Sequence, residues 1–284
     1  MNIKIIRRRI KNTIFILGLF ATIAKGSQYI PSFHGLIHKE SKVTKIPKLT
    51  REYEHDGLKN FFPQDNYNRP EQILYRKNYV VSYNQDTKCP NWVLWKLTRN
   101  HVDGQIKRPD YAFHEDIEVP EPRAELQDYR GSGYDRGHMC PAGDNKWNDK
   151  AMYESFLLSN ICPQNTKLNC GLWNQIETSC RNWAKKYNEL YIICGPIYFG
   201  DTYNTIGKGR VVVPDAFFKA VICLKGMPKG IAFACMNCNA DKKMKYYVRT
   251  IAEVEHLTGY RLFPNLDEKI SSQVKDCADL KEWK

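Results

Sequence analysis

Tyr134-Asp135-Arg136-Gly137-His138-Met139-Cys140-Pro141, with Leu168-Asn169-Cys170-Gly171-Leu172-Trp173-Asn174-Gln175-Ile176-Glu177 further along, is the stretch on which the reading of this chain turns. An imidazole, guanidinium groups, a carboxamide and a carboxylate all fall between residues 134 and 181. Those types suit attack on a phosphodiester. A neutral imidazole such as that of His138 accepts a proton from water near physiological pH. An arginine such as Arg136 offsets charge that builds on a phosphoryl group. The oxygens of Asn169 and Glu177 suit a hard, hydrated cation such as Mg²⁺. Asn169, Trp173, Glu177 and Arg181 are four apart, so a helix through them carries all four on one slowly drifting stripe. Each residue alone has an ordinary explanation. A lone histidine is more often structural, and Glu177 with Arg181 reads as an ion pair on a solvated helix face. Only the combination points to chemistry.

Working outward, Tyr79-Val80-Val81-Ser82-Tyr83 and Trp92-Val93-Leu94-Trp95 are β-branched and aromatic runs separated by the turn-rich Asn84–Asn91. They predict two antiparallel strands. Residues 99–133 hold Pro, Gly and acidic interruptions with little periodicity, which predicts a long surface excursion. Gly171–Tyr187 has Leu172, Ile176, Trp183 and Ala184 at helical spacing. Leu190–Cys194 reads as a buried strand closed by Gly195-Pro196. Phe217–Leu224 and Ile231–Met236 flank a Gly- and Pro-containing turn and predict a hairpin, and Ile251–Thr258 predicts a short helix ended by Gly259. The expected fold is one mixed α/β (α+β) domain over residues 61–284, after a polar tether at 27–60.

Tyr129-Arg130-Gly131-Ser132-Gly133-Tyr134-Asp135-Arg136-Gly137-His138 resembles the active-site signature of the DNA/RNA non-specific endonucleases, the group that includes endonuclease G. Leu158-Ser159-Asn160-Ile161-Cys162-Pro163-Gln164-Asn165, then Leu168-Asn169 and Trp173 to Glu177, looks like the second half of that signature. Weaker echoes at Val213–Lys219 and Thr258–Asn265 extend the likeness over most of residues 70–266. The resemblance implies a central antiparallel sheet flanked by helices, with a ββα-metal unit built from residues 134–139, 156–161 and 169–187. It further implies a Mg²⁺-dependent endonuclease, with Mn²⁺ as a substitute, that cuts DNA and RNA to 5′-phosphate ends. His138 falls at the family's general base and Asn169 at its direct metal ligand. Glu177 falls at the carboxylate that orients the metal's waters, and Arg136, Arg181 and Arg108 fall at phosphate-binding positions. A homodimer is compatible with this. Weak sequence preference follows if contacts go to phosphates, which carry no base information.

The 284 residues include 43 Lys and Arg against 31 Asp and Glu, a formal net charge of +12. Residues 1–26 carry six of those cations and no acid, so the remainder stands at +6, compatible with a polyanion partner. That N-terminal segment runs from a cationic start into the apolar Thr13–Ala24 and reads as a secretory signal peptide. A secreted or periplasmic protein without stable membrane insertion is the expectation, an uncleaved anchor being the lesser reading. A mitochondrial presequence shares the Arg-rich, acid-free character, but the unbroken apolar run argues against it. Ten cysteines behind such a segment predict disulfides. Cys235-Met-Asn-Cys238 leaves a thiol–disulfide protein as one rival reading. A non-catalytic nucleic-acid-binding protein and a small-nucleotide phosphodiesterase are the others.

Overall fold

Ala216-Phe217-Phe218-Lys219-Ala220-Val221-Ile222-Cys223 is buried at every position. Successive side chains of a strand point to opposite faces, so such a strand needs a covering layer on each side. The computed structural model, which describes residues 55–110, 113–200 and 202–283, supplies both layers. In chain order the principal strands are β1 (Gln72–Tyr75), β2 (Tyr79–Asn84), β3 (Cys89–Thr98), β4 (Asp135–His138), β5 (Ile161–Gln164), β6 (Glu189–Ile197), β7 (Ala216–Cys223), β8 (Lys229–Met236) and β9 (Val248–Arg249). The principal helices are α1 (Asp149–Ser155), α2 (Asn174–Tyr187), α3 (Ile251–Thr258) and α4 (Glu268–Lys275). Seven strands form one sheet in the order β9-β8-β7-β6-β3-β2-β1, and every neighbouring pair is antiparallel. The pair β4–β5 stands apart from it and is also antiparallel.

The alternation sorts the core. Phe217, Val221, Phe233, Trp95 and Ile192 meet Ile176, Cys180, Trp183 and Ala184 of α2 on one face. Phe218, Ala220, Ile222, Leu94 and Ile193 meet Ile251 and Val254 of α3 and Val274 of α4 on the other. Local chemistry bounds the helices. Thr250 and Glu253 form a capping box at the start of α3, and Gly259 ends it at φ +73°, the left-handed region that glycine enters without a Cβ penalty.

The expected central antiparallel sheet between helices is therefore present, with several boundaries moved. The second strand of the smaller unit is β5 at 161–164 rather than 156–161, because Leu158–Asn160 forms a tight 3₁₀ turn. Asn160 fixes that turn by accepting from Cys140 N at 2.9 Å and donating to the Cys140 and Ser155 carbonyls at 2.8 Å each. β6 runs on through Gly195-Pro196 instead of closing there. At Gly195 an added Cβ would lie 2.6 Å from the Asn91 carbonyl, so the glycine permits close strand approach. The 99–133 stretch is more than a surface excursion: Val119, Ala124 and Tyr129 are buried. Within it, Asp116 pairs with the buried Arg76 at 2.5 Å. At the start of the described chain, Asp56–Lys59 is helical and Leu58, inside the expected 27–60 tether, is buried. The signal peptide read at 1–26 lies outside the described residues.

The disulfide expectation is corrected: all ten cysteines are free thiols. Seven are buried, and most of these occupy inward positions of the sheet or α2, where a thiol packs as a small apolar group. Cys235 is held in β8 while Cys238 is exposed beyond its end. Burial pushes the Cys235 thiol far above its ordinary range, away from the thiolate that redox exchange requires.

Candidate active site

β4 carries the first half of the candidate site. Gly137 faces Cys162 of β5 in register, and a Cβ there would lie 2.3 Å from Gln164 Oε1. Only glycine admits that approach, which brings the next residue, His138, against a wall of phenylalanines. Its ring centroid lies 5.1 Å from that of Phe113 and 5.0 Å from that of Phe156. Nε2 is buried with no hydrogen-bond partner among the described residues. Burial first, then the positive charges of Arg108, Lys219 and Arg136, push the imidazole pKa down to about 3. His138 is thus a neutral base across the physiological range.

Two exposed guanidinium groups share that wall. Arg136 Cζ lies 4.5 Å from the Phe113 centroid, and Arg108 Cζ lies 5.9 Å from Phe113 and 5.1 Å from Phe156. The loop carrying Arg108 therefore folds back onto β4, and the two arginines flank one imidazole. Stacked on aromatic rings, they keep their charge and their forked donors available to an anion.

The second half comes from the entry to α2. Asn165 accepts from the backbone of Lys167 and Leu168 and so caps the turn Thr166–Leu168. A wide turn over Asn169–Trp173 follows, with Gly171 off helical geometry, before α2 begins. Single wide turns of this kind cluster at functional sites. Asn169 Nδ2 donates to Asp135 Oδ2 at 3.0 Å, while Asp135 Oδ1 accepts from Thr166 Oγ1 at 2.8 Å. The amide nitrogen is spoken for, which leaves the carbonyl oxygen as the group the side chain can offer to a cation. Among the described residues no three His, Cys, Asp or Glu side chains group as metal ligands. A largely hydrated ion touching one neutral oxygen fits this donor set, and a caged ion does not.

The stripe on α2 leads inward. Trp173 Nε1 donates to the His138 carbonyl at 3.4 Å. Glu177 Oε1 lies 3.8 Å from Lys219 Nζ, which also reaches the Met139 carbonyl at 3.5 Å. Lys219 is 1% exposed and lies over the rings of Trp173 and Trp95, at 4.8 and 5.2 Å. Arg181 does not pair with Glu177 on a solvated face. It donates from Nη1 to the buried Asp144 at 3.3 Å and from Nη2 to Thr178 Oγ1 at 3.0 Å, because Gly143 leaves room for the guanidinium. Trp95 Nε1 donates to the other Asp144 oxygen at 3.0 Å. Burial raises the Glu177 pKa to about 7, with Lys219 and Arg181 opposing and Asp144 adding to the rise. Burial would discharge Lys219, but Cys194, Glu177, Cys180 and Asp144 hold its pKa above the ordinary lysine value.

Five of the six residues singled out from the sequence thus fall into two adjoining groups. His138, Arg108 and Arg136 form one, and Glu177 and Arg181 the other, with Asn169 at the entry to α2. Sequence reasoning missed Lys219, Asp144, Asp135, Phe113 and Phe156. Lys219 had a signal: a single charge inside an otherwise apolar strand must be compensated by partners.

The site thus sets a neutral imidazole flanked by arginines beside an oriented carboxamide at the head of a helix. The profile of the DNA/RNA non-specific endonucleases matches residues 58–269, and the chain belongs to that family. It is 34% identical over 206 residues to the mitochondrial nuclease EXOG of Xenopus laevis, covering 67% of this chain and 58% of that protein. It is 33% identical over 209 residues to the mitochondrial endonuclease G of Bos taurus, covering 69% and 70% of the two chains. A solved structure of EndoG in complex with EndoGI superposes with a TM-score of 0.70 at 27% identity, covering 78% of this chain and 94% of that one. The aligned stretch spans little more than half of the Xenopus protein.

These relatives correct the expected destination. EXOG, endonuclease G and a nuclease of Saccharomyces cerevisiae are all named as mitochondrial, which points away from a secreted or periplasmic protein. The cationic, acid-free start of the chain suits either route, and the apolar run at 13–24 is a weak discriminator between them. Among the described residues no helix is long and apolar enough to cross a membrane.

Proposed function

We propose that this chain hydrolyses phosphodiester bonds of both DNA and RNA with little sequence preference, leaving 5′-phosphate ends, and that it does so in mitochondria. The observation that carries the reading is the convergence of Arg108 and Arg136 on the neutral His138, beside an Asn169 held by the same strand through Asp135. In this reading His138, neutral across the physiological range, takes the proton of the attacking water. Arg136 and Arg108 hold the phosphate and offset the charge that builds there. Asn169 would hold a Mg²⁺ ion, or Mn²⁺ in its place, and Glu177, placed by Lys219, would offer its carboxylate to the ion's waters. When bound, the ion supplies positive charge against the reacting phosphate. Arg181 acts through Asp144 on the same interior group and does not grip the substrate directly.

The test is digestion of plasmid DNA and of structured RNA by the full chain, with and without EDTA. Both should be cut in the presence of Mg²⁺, and neither after chelation. Intact substrates in both conditions, from a folded protein, would overturn the reading.

A further inference from the structure

Beyond the phosphate-binding arginines, the wall of His138 has a second side. Phe113 also lines an open cleft of about 500 Å³ with Ile106, Pro109, His114, Met152 and Tyr153. Phe113 and Ile106 pack with Met152 and Phe156 in one apolar cluster, and Phe156 is the other ring against His138. The cleft therefore begins one aromatic ring away from the imidazole. Tyr153 is 59% exposed, which is unusual for so large a ring, and its inner face is stacked on His114 with centroids 4.0 Å apart and planes 26° from parallel. Lys107 and Asp149 are the charged groups of the lining. Arg108 follows Lys107 directly and lies over Phe156.

We propose that this cleft receives one unstacked nucleobase of the substrate strand, next to the phosphate held at His138; the proposal rests on the nuclease reading above. A stack already begun by His114 and Tyr153 is extended by any flat ring, and every base has a π-face, so such a site discriminates little by sequence. Its volume falls within the range of small-molecule sites. Lys107 and the neighbouring Arg108 supply positive charge at the cleft, and Ile106, Pro109, Phe113 and Met152 supply apolar walls. A base enters only after leaving its own stack, a step that costs least in a single strand. Single-stranded segments and frayed ends are therefore the favoured substrates, while the chemistry at the phosphate remains indifferent to sequence.

The experiment measures binding of the full chain, in EDTA, to a short single-stranded oligodeoxynucleotide and to a set of copies with one abasic residue moved along it. One abasic position should weaken binding to the wild type by roughly 5- to 150-fold, the range for loss of one base–aromatic stack. Tyr153→Ala should weaken binding to the intact strand similarly and erase the abasic effect, while Tyr153→Phe should keep both. An exposed ring is a mild substitution for the fold, and far-ultraviolet circular dichroism checks that. Equal binding of all abasic copies by wild type, or an unchanged abasic effect in Tyr153→Ala, overturns the proposal. Failure of the proposal alone shows as cleavage of plasmid with Mg²⁺ but no abasic effect. A protein that neither cuts plasmid nor binds the strand overturns the nuclease reading as well.

Discussion

Two groups of charges adjoin His138 and differ in one respect. Arg108 and Arg136 are exposed, rest on phenylalanine rings and make no ion pair among the described residues. Lys219, Asp144, Glu177 and Arg181 are buried or nearly so, and each has a partner of opposite sign. Exposed cations cost little to keep and can exchange solvent for a phosphate. Buried charges persist only when mutually compensated, so the interior group is committed to its own geometry. The comparison supports the proposed division, with grip at the rim and orientation in the interior.

The largest expected effect sits between the two groups. His138→Ala should leave binding in EDTA near the wild-type value while slowing cleavage by about 10²–10⁴-fold, the usual worth of a positioned general base. Single-turnover rates read beside affinities check this, and a folded variant that keeps half the rate removes His138 from the role. Next comes the interior. Lys219→Met removes one partner of a buried pair, and such deletions cost about 3–5 kcal/mol. Urea denaturation should show that loss, and an unchanged midpoint would mean that Glu177 and Asp144 are compensated without Lys219.

Asn169→Ala tests the link between rim and interior. The metal concentration for half-maximal rate should rise about 10-fold or more, as when a ligand or its support is lost, while affinity for DNA in EDTA stays level. The smallest effect belongs to the rim. Arg136→Ala should lower the logarithmic salt slope of duplex binding by about 0.9, the share of one neutralised phosphate, and should do so alike across sequences. Arg181→Ala should leave that slope unchanged, because its guanidinium is held by Asp144.

What the sequence disclosed follows from how local each feature is. The strands Tyr79–Asn84 and Ala216–Cys223 and the capped helix Ile251–Thr258 are marked by contiguous apolar or capping residues, and all three were legible. His138 and Arg136 share one strand, so their proximity was legible too. Arg181 was not, because its partner Asp144 lies 37 residues earlier and enters only when Gly143 makes room. The buried pairing of Lys219 with Glu177 likewise depends on the fold, since one sits on β7 and the other on α2. The cysteines misled because their even number behind an apparent signal segment predicts disulfides, whereas seven of the ten thiols pack in the core. The destination misled because the secretory reading rests on the apolar run at 13–24 to decide between secretory and mitochondrial segments, which share a cationic, acid-free start.

The division of labour is tested most directly by the proton that controls the rate. With the His138 pKa near 3 and that of Glu177 near 7, the imidazole is already a free base at pH 5, while Glu177 is largely protonated there. A carboxylate is useful only when ionised, so the single-turnover rate should rise with pH through a limb set by Glu177, at or below about 7 because a bound cation favours its charged form. In Glu177→Gln the rate should be lower but flat from about pH 5 to 8. A limb that persists unchanged in Glu177→Gln would place the controlling proton on His138 and contradict the assignment of a permanently neutral base.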